Sequence, residues 1–162
     1  MAYILPLALE DVDPGIRDQL QEMEQTSGYI PRGQLTMARR PELVKAVSGM
    51  VAAVRTGSIT MELKSLVALA TDIAAGCAHS QSHSAFRGAR QGVRIEKLQA
   101  VYGFEESDLL TPLEKAAIRL ARDASVVPNR VTAEHFEALR EWFSDDELVE
   151  LMAVISWRSF LN

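Results

Sequence analysis

The chain has one cysteine, three histidines and only 6% aromatic residues among its 162 positions. A lone cysteine, Cys77, cannot close an intramolecular disulfide, so oxidation chemistry there requires an outside thiol or a second subunit. No run approaches the ~20 apolar residues of a membrane-spanning helix, and Met1 to Leu9 lacks the basic start and cleavage site of a secretory leader. The expected compartment is the cytoplasm. A basic excess is missing as well: 17 Lys and Arg against 22 Asp and Glu leave a formal net charge of -5, which argues against a nucleic acid or an anionic membrane as partner. Arg87, Arg90 and Arg94 come nearest to a basic cluster, but they alternate with apolar positions as on a solvated helix face. Alternating strands bounded by hairpin turns, linkers, low-complexity tracts and internal repeats are absent too.

What remains is the composition of an ordinary globule, 48% hydrophobic and 24% charged. A chain of this length buries roughly two-thirds of its unfolded surface and needs no disulfide or metal for stability. The spacing predicts an all-α fold of about seven helices in a single domain, 1–162. Asp13-Pro14 is suited to cap a first helix toward Ser27-Gly28, and Gly28 to Thr36 reads as a loop. Pro41 opens a second helix whose apolar stripe is Leu43, Val47, Met50, Val51 and Val54, with Gly57 at its end. Ser58 or Thr60 then caps "MELKSLVALATDIAAG", a helix expected to be buried on most sides until Gly76 breaks it.

A helix from about Cys77 to Gln91 follows, with Gly92 as its C-cap. "RIEKLQAVYGF" is a short helix. Thr111, Pro112 and Glu114 form a capping box for the next one, Thr132 caps "AEHFEALREWF", and Ser144 with Glu147 repeats the box for the last. That final helix carries Trp157, Phe160 and Leu161 and needs another surface, in the domain or on a partner subunit.

Chemistry concentrates in "AAGCAHSQSHSAF", Ala74 to Phe86, which holds Cys77, His79 and His83. At ~100° per residue, Cys77, Ser80, Gln81 and Ser84 share a face, with His83 beside Ser80. The hydroxyl best placed for activation by His83 is therefore that of Ser80, and Glu62, Asp72 or a residue from another helix could orient the imidazole. A cysteine in a first helical turn meets unpaired amides and the positive end of the helix dipole, both of which favour thiolate. Cysteine is also among the most commonly buried residues, and a Ser near a His on one helix is usually a capping or surface hydroxyl. His79 and His83 at i, i+4 with Cys77 would count as three zinc ligands, but Cys77 points to a different side of the helix from His79. His135 reads as a solvent-facing helix residue.

The stretch "LKSLVALATDIAAGCAHSQSHSAFRGARQGV", and the segments from "SDLLTPLEKAAIRLARDAS" to "VISWRSFLN", resemble the alkylhydroperoxidase D-like group of the carboxymuconolactone decarboxylase superfamily, in its peroxidase-related branch. The family motif is Gly-Cys-x-x-Cys-Gln-x-His after a buried apolar helix. The resemblance covers most of the chain after about Ile30. It implies an all-helical fold assembling as a homo-oligomer, a dimer, trimer or hexamer, with no haem or metal cofactor. It further implies a hydroperoxide substrate and an external thiol reductant. In the family's redox members the second cysteine attacks, a histidine assists and the first cysteine closes the disulfide. Carried over by position, Cys77 is the first, resolving cysteine and His83 the proton-relay histidine.

Ser80 stands where the attacking cysteine would be, and a hydroxyl cannot reduce a peroxide, so the dithiol cycle cannot run in this chain. Where the family carries a relay glutamate, this chain has Ser65, with Glu62 one turn earlier as a substitute. Three functions follow as expectations. The first is a peroxidase-like thiol protein attenuated or disabled by Ser80, the second a decarboxylase- or isomerase-type acid–base enzyme using His83, and the third a non-catalytic oligomeric binding protein.

Overall fold

The computed structural model describes residues 3–162. It is all-helical: the described residues form nine α-helices and two short 3-10 segments, and no strand. Met1 and Ala2, included in the expected span 1–162, lie outside the described residues. The chain divides into two compact units, Met1–Ala53 and Val54–Asn162.

The first unit begins with the 3-10 turn Leu9–Asp11 and the helix α1 (Pro14–Ser27). The Asp13 carboxylate accepts the Gly15 amide at 2.7 Å and Pro14 occupies the first turn, so α1 starts as its sequence predicts. The segment expected as a loop contains a helix instead, α2 (Arg32–Met37). Its stability is not local. Leu35 and Met37 pack against a small core of Val12, Ile16, Leu20, Ala38 and Val44, and that burial outweighs the turn signals of Pro31 and Gly33. Pro31 serves as the N-cap, its carbonyl receiving the Gln34 amide at 2.9 Å. Helix α3 (Pro41–Arg55) follows, its last two residues lying in the second unit. Its buried positions are Val44, Val47 and Val54, whereas Leu43, expected on the apolar stripe, is exposed.

The second unit is built around α4 (Met61–Ala74). Thr60 caps it by accepting the Leu63 amide at 3.3 Å. Helices α5 (Ala78–Arg90), α7 (Pro112–Ser125) and α9 (Asp145–Leu161) pack against it. This three-sided packing explains the nearly continuous apolar sequence of α4, in which Leu63, Leu66, Val67, Leu69 and Ala70 are all buried. Between α5 and α7 lie α6 (Ile95–Ala100) and the 3-10 segment Val101–Glu106, which together account for the expected single short helix. Helix α8 (Ala133–Leu139) is shorter than its sequence suggests. The amides of Trp142 and Phe143 both turn back to the Leu139 carbonyl, so the chain leaves the helix before Ser144 caps the next. The capping boxes at Thr111/Glu114 and Ser144/Glu147 are both present.

The polar residues buried in α4 are tied down by distant partners. Lys64 donates to the Thr56 carbonyl at 2.7 Å and pairs with Glu150 of α9. Asp72 is gripped by Arg158, also of α9. Helix α9 buries Leu148, Leu151, Val154 and Ile155, while Val149, Phe160 and Leu161 remain exposed and Trp157 stacks on Phe160 at 5.6 Å. Among the described residues, no helix is long and apolar enough to cross a membrane.

Candidate active site

The site lies where α4 hands over to α5. Helix α4 ends at Ala74, and Gly76 makes the turn with φ +68°, a left-handed conformation that a side chain would strain. Cys77 is then the N-cap of α5, in extended conformation, one position earlier than the first turn in which its sequence places it. Its amide donates to the Asp72 carbonyl at 3.2 Å, and its own carbonyl accepts the Gln81 amide at 3.0 Å. The backbone that carries the thiol is thereby held on both sides.

On α5 the buried residues are Ser80, Ser84 and Gly88, one per turn along one face. They keep the helix thin where it meets its neighbours. A side-chain carbon added at Gly88 would stand 2.9 Å from Leu98 of α6 and 3.5 Å from Ser65 of α4. Ser80, expected on the face shared with Cys77, is buried beneath it.

The sulfur makes no capping hydrogen bond of full geometry. The Ser80 hydroxyl, the Ser80 amide and, more weakly, the His79 amide are nonetheless close enough to favour its charged form. They hold the Cys77 thiol below the usual cysteine value, against burial and the Asp72 charge, which push it up. His83 is pulled the other way in charge. Burial lowers its pKa, and the charges of Arg87, Arg158 and His79 add to the effect, with Asp72 opposing. The imidazole is therefore neutral at neutral pH and can accept a proton. His79 and His83 stack with ring centroids 6.4 Å apart. Among the described residues no group of three or more His, Cys, Asp or Glu side chains is arranged to hold a metal ion.

Of the two carboxylates considered for orienting His83, Asp72 alone is at the site. Glu62 pairs with Lys97 at 2.7 Å, and Lys97 in turn holds Glu114 at 2.6 Å, so Glu62 belongs to a salt bridge joining α4, α6 and α7. Ser65 is buried, its hydroxyl between the Met61 carbonyl at 2.7 Å and Gln91 Oε1 at 2.9 Å. Two residues at the site have no signal in the motif itself. Arg158 reaches Asp72 from α9, and the Tyr102 hydroxyl donates to Gln81 Oε1 at 3.2 Å.

The reading of His135 as solvent-facing is overturned. Its Nδ1 accepts the Thr132 amide at 3.2 Å, taking the capping-box role usually filled by Glu or Gln. Its Nε2 lies 3.0 Å from Asp123 Oδ2 on α7, and only 12% of the side chain is exposed.

The pattern of the carboxymuconolactone decarboxylase family matches residues 41–123, about half of the chain, including both α4 and α5. The chain belongs to this family. The debrominase Bmp8 superposes on it with a TM-score of 0.90 and 31% sequence identity. The match covers 99% of this chain and 87% of the apo Bmp8 structure. A cysteine-to-alanine variant of Bmp8 in complex with 2,3,4-tribromopyrrole matches with the same score, over 86% of its length. An uncharacterized peroxidase-related protein from Ralstonia eutropha JMP134, an alkylhydroperoxidase AhpD core, shares the fold. Its TM-score is 0.85 at 21% identity, over 99% of this chain and 88% of its own. YdfG of Bacillus subtilis (strain 168) is 24% identical over 117 residues, 72% of this chain and 80% of its own. One helical scaffold is thus common to this chain, a debrominase and a peroxidase-related protein.

Proposed function

We propose that this family member is a thiol-dependent reductase in which Cys77 is the attacking atom and His83 its proton acceptor. The observation that carries the reading is the placement of Cys77 at the N-cap of α5, the helix that also carries His83, where the Ser80 hydroxyl and two amides favour the thiolate and burial lowers the pKa of the imidazole. The resemblance implies a resolving role for Cys77, but a chain with one cysteine offers no disulfide for it to resolve. The sulfur can act only by direct attack.

With a hydroperoxide, His83 takes the thiol proton, directly or through water, and the thiolate attacks the terminal peroxide oxygen. The O–O bond breaks, the alcohol leaves with a proton, and Cys77 becomes a sulfenic acid. Two equivalents of an external thiol then reduce it, giving water, their own disulfide and the Cys77 thiol. Ser80 supports this cycle by hydrogen bonding without entering it.

A second reading is favoured by the likeness to Bmp8. The same thiolate would serve removal of bromine from a bromoaromatic. In that balance the C–Br bond becomes C–H while two thiols become a disulfide and bromide is released.

Both are tested in one experiment with dithiol reductant, following hydroperoxide consumption and bromide release in parallel. Turnover of either substrate that vanishes in Cys77→Ala, with helical circular dichroism intact, is the expected result. Turnover that survives Cys77→Ala but not His83→Ala would replace the reading with acid–base chemistry. The exposed Phe160 and Leu161 of α9 support extending the proposal to a homo-oligomer, read by light scattering.

A further inference from the structure

Asp72 has two functions at once. Its backbone carbonyl accepts the Cys77 amide at 3.2 Å and Gln81 Nε2 at 3.4 Å, so it fixes the start of α5. Its carboxylate, with no exposure at all, takes both arms of the Arg158 guanidinium, Nε at 3.0 Å and a terminal nitrogen at 2.7 Å. Arg158 comes from α9, 86 residues later, and is itself buried. A two-pronged Arg–carboxylate contact fixes orientation as well as distance.

The charged and titratable groups that act on Cys77 and His83 come from several elements. At Cys77 itself the charge that acts is Asp72 of α4, while His83 on α5 feels Arg87 and His79 of its own helix, Arg158 of α9 and Asp72. From α6, Lys97 is held by Glu62 and Glu114, and from the following 3-10 segment Tyr102 binds Gln81. Asp72 disfavours thiolate at Cys77 and favours a protonated His83, while Arg158 opposes it at His83.

We propose that Arg158 is a positioning residue of the Cys77 site: paired with Asp72, it fixes the turn that carries the thiol and cancels the buried negative charge beside it. The inference deepens the reductase reading and rests on it only for turnover, since thiol reactivity is measurable without substrate.

The test is the pH dependence of Cys77 alkylation by iodoacetamide in the full chain. Asp72→Asn removes the negative charge, so its midpoint falls and alkylation at pH 7 is several-fold faster. Arg158→Gln leaves Asp72 unpaired, so its midpoint rises and alkylation at pH 7 is several-fold slower. The double variant returns toward the unsubstituted chain. A merely structural pair would move both single variants the same way or leave both midpoints in place. Either result, with helicity retained, overturns the proposal.

Because Arg158→Gln buries an unpaired carboxylate and risks not folding, the unsubstituted chain supplies a second readout. The Arg158 Nε–H resonance is expected to shift through the thiol titration and to lose that step once Cys77 is alkylated. A resonance flat through the titration overturns the proposal without any variant. Peroxide and bromide turnover are followed alongside. Opposite midpoint shifts in a chain that turns over neither substrate would uphold positioning by Arg158 and sink the reductase reading. Turnover lost in both variants with unmoved midpoints would sink positioning alone.

Discussion

Two histidine-bearing regions of this chain have opposite designs. At the α7–α8 junction, both ring nitrogens of His135 serve the fold. Nδ1 accepts the Thr132 amide, which leaves Nε2 to carry a proton toward Asp123. Asp123 is further held by Arg122 at 2.9 and 3.0 Å. At the α4–α5 junction, hydroxyl and amide groups converge on a sulfur, and burial keeps His83 neutral. A histidine that accepts at one nitrogen and donates at the other in a closed network cannot pass a proton on without breaking that network. At His83 the largest influence on the ring is burial instead.

The comparison breaks most directly by exchanging the two histidines for alanine. His83→Ala is expected to lower turnover by about a hundredfold or more, the scale of general acid–base catalysis, with a nearly unchanged melting temperature. His135→Ala is expected to leave turnover in place and lower stability by about 1–3 kcal/mol, because it strips an acceptor from Thr132 and a donor from Asp123. Paired measurements of kcat/KM and melting temperature check both. A reversed pattern would mean that the two regions have been assigned the wrong roles.

Ser80→Ala sharpens the chemical half. It removes the hydroxyl that contributes most to lowering the Cys77 pKa, so the alkylation midpoint should rise and the rate at neutral pH fall several-fold. An unmoved midpoint would return the credit to the backbone amides. In the unsubstituted chain the same logic gives a rate that rises with pH through the thiol midpoint and then levels, since His83 is already neutral there.

The smallest effect belongs to the structural half. The Arg122 hydrogen bond first, and His135 after it, hold the Asp123 carboxyl below its ordinary value. A depressed carboxyl contributes stability that is present above its unfolded pKa, about 3.9, and is lost as pH falls through its folded value. Melting temperature should therefore fall on acidification below that range, and Asp123→Asn should flatten part of the fall.

The elements legible in the sequence are those whose cause is local. Thr60, Thr111 and Ser144 mark helix starts because a capping oxygen reaches an amide only three residues away. Cys77, His79 and His83 were legible as a cluster because one helix carries them. Helix α2 was not, since Leu35 and Met37 are held by Val12, Ile16 and Val44, a contact without sequence proximity. His135 was misread for the same reason: its type is plain, but its environment depends on Asp123, 12 residues earlier on another helix. The Glu62–Lys97 pair spans 35 residues and the Asp72–Arg158 pair 86, so neither the removal of Glu62 from the site nor the arrival of Arg158 leaves a local trace.

The thinness of α5 at Gly88 limits which chemistries the scaffold can reach by single substitutions. Ser65, at the position where the resemblance implies a relay glutamate, lies 3.5 Å from the place a Gly88 side chain would begin, enclosed by Met61 and Gln91. Ser80→Cys would install a second sulfur with little change in volume. Ser65→Glu would have to force α4 and α5 apart or leave a carboxylate buried beside them, a change this packing resists. One half of a dithiol machine is thus a single codon away, while the other half is closed off by the spacing of two helices.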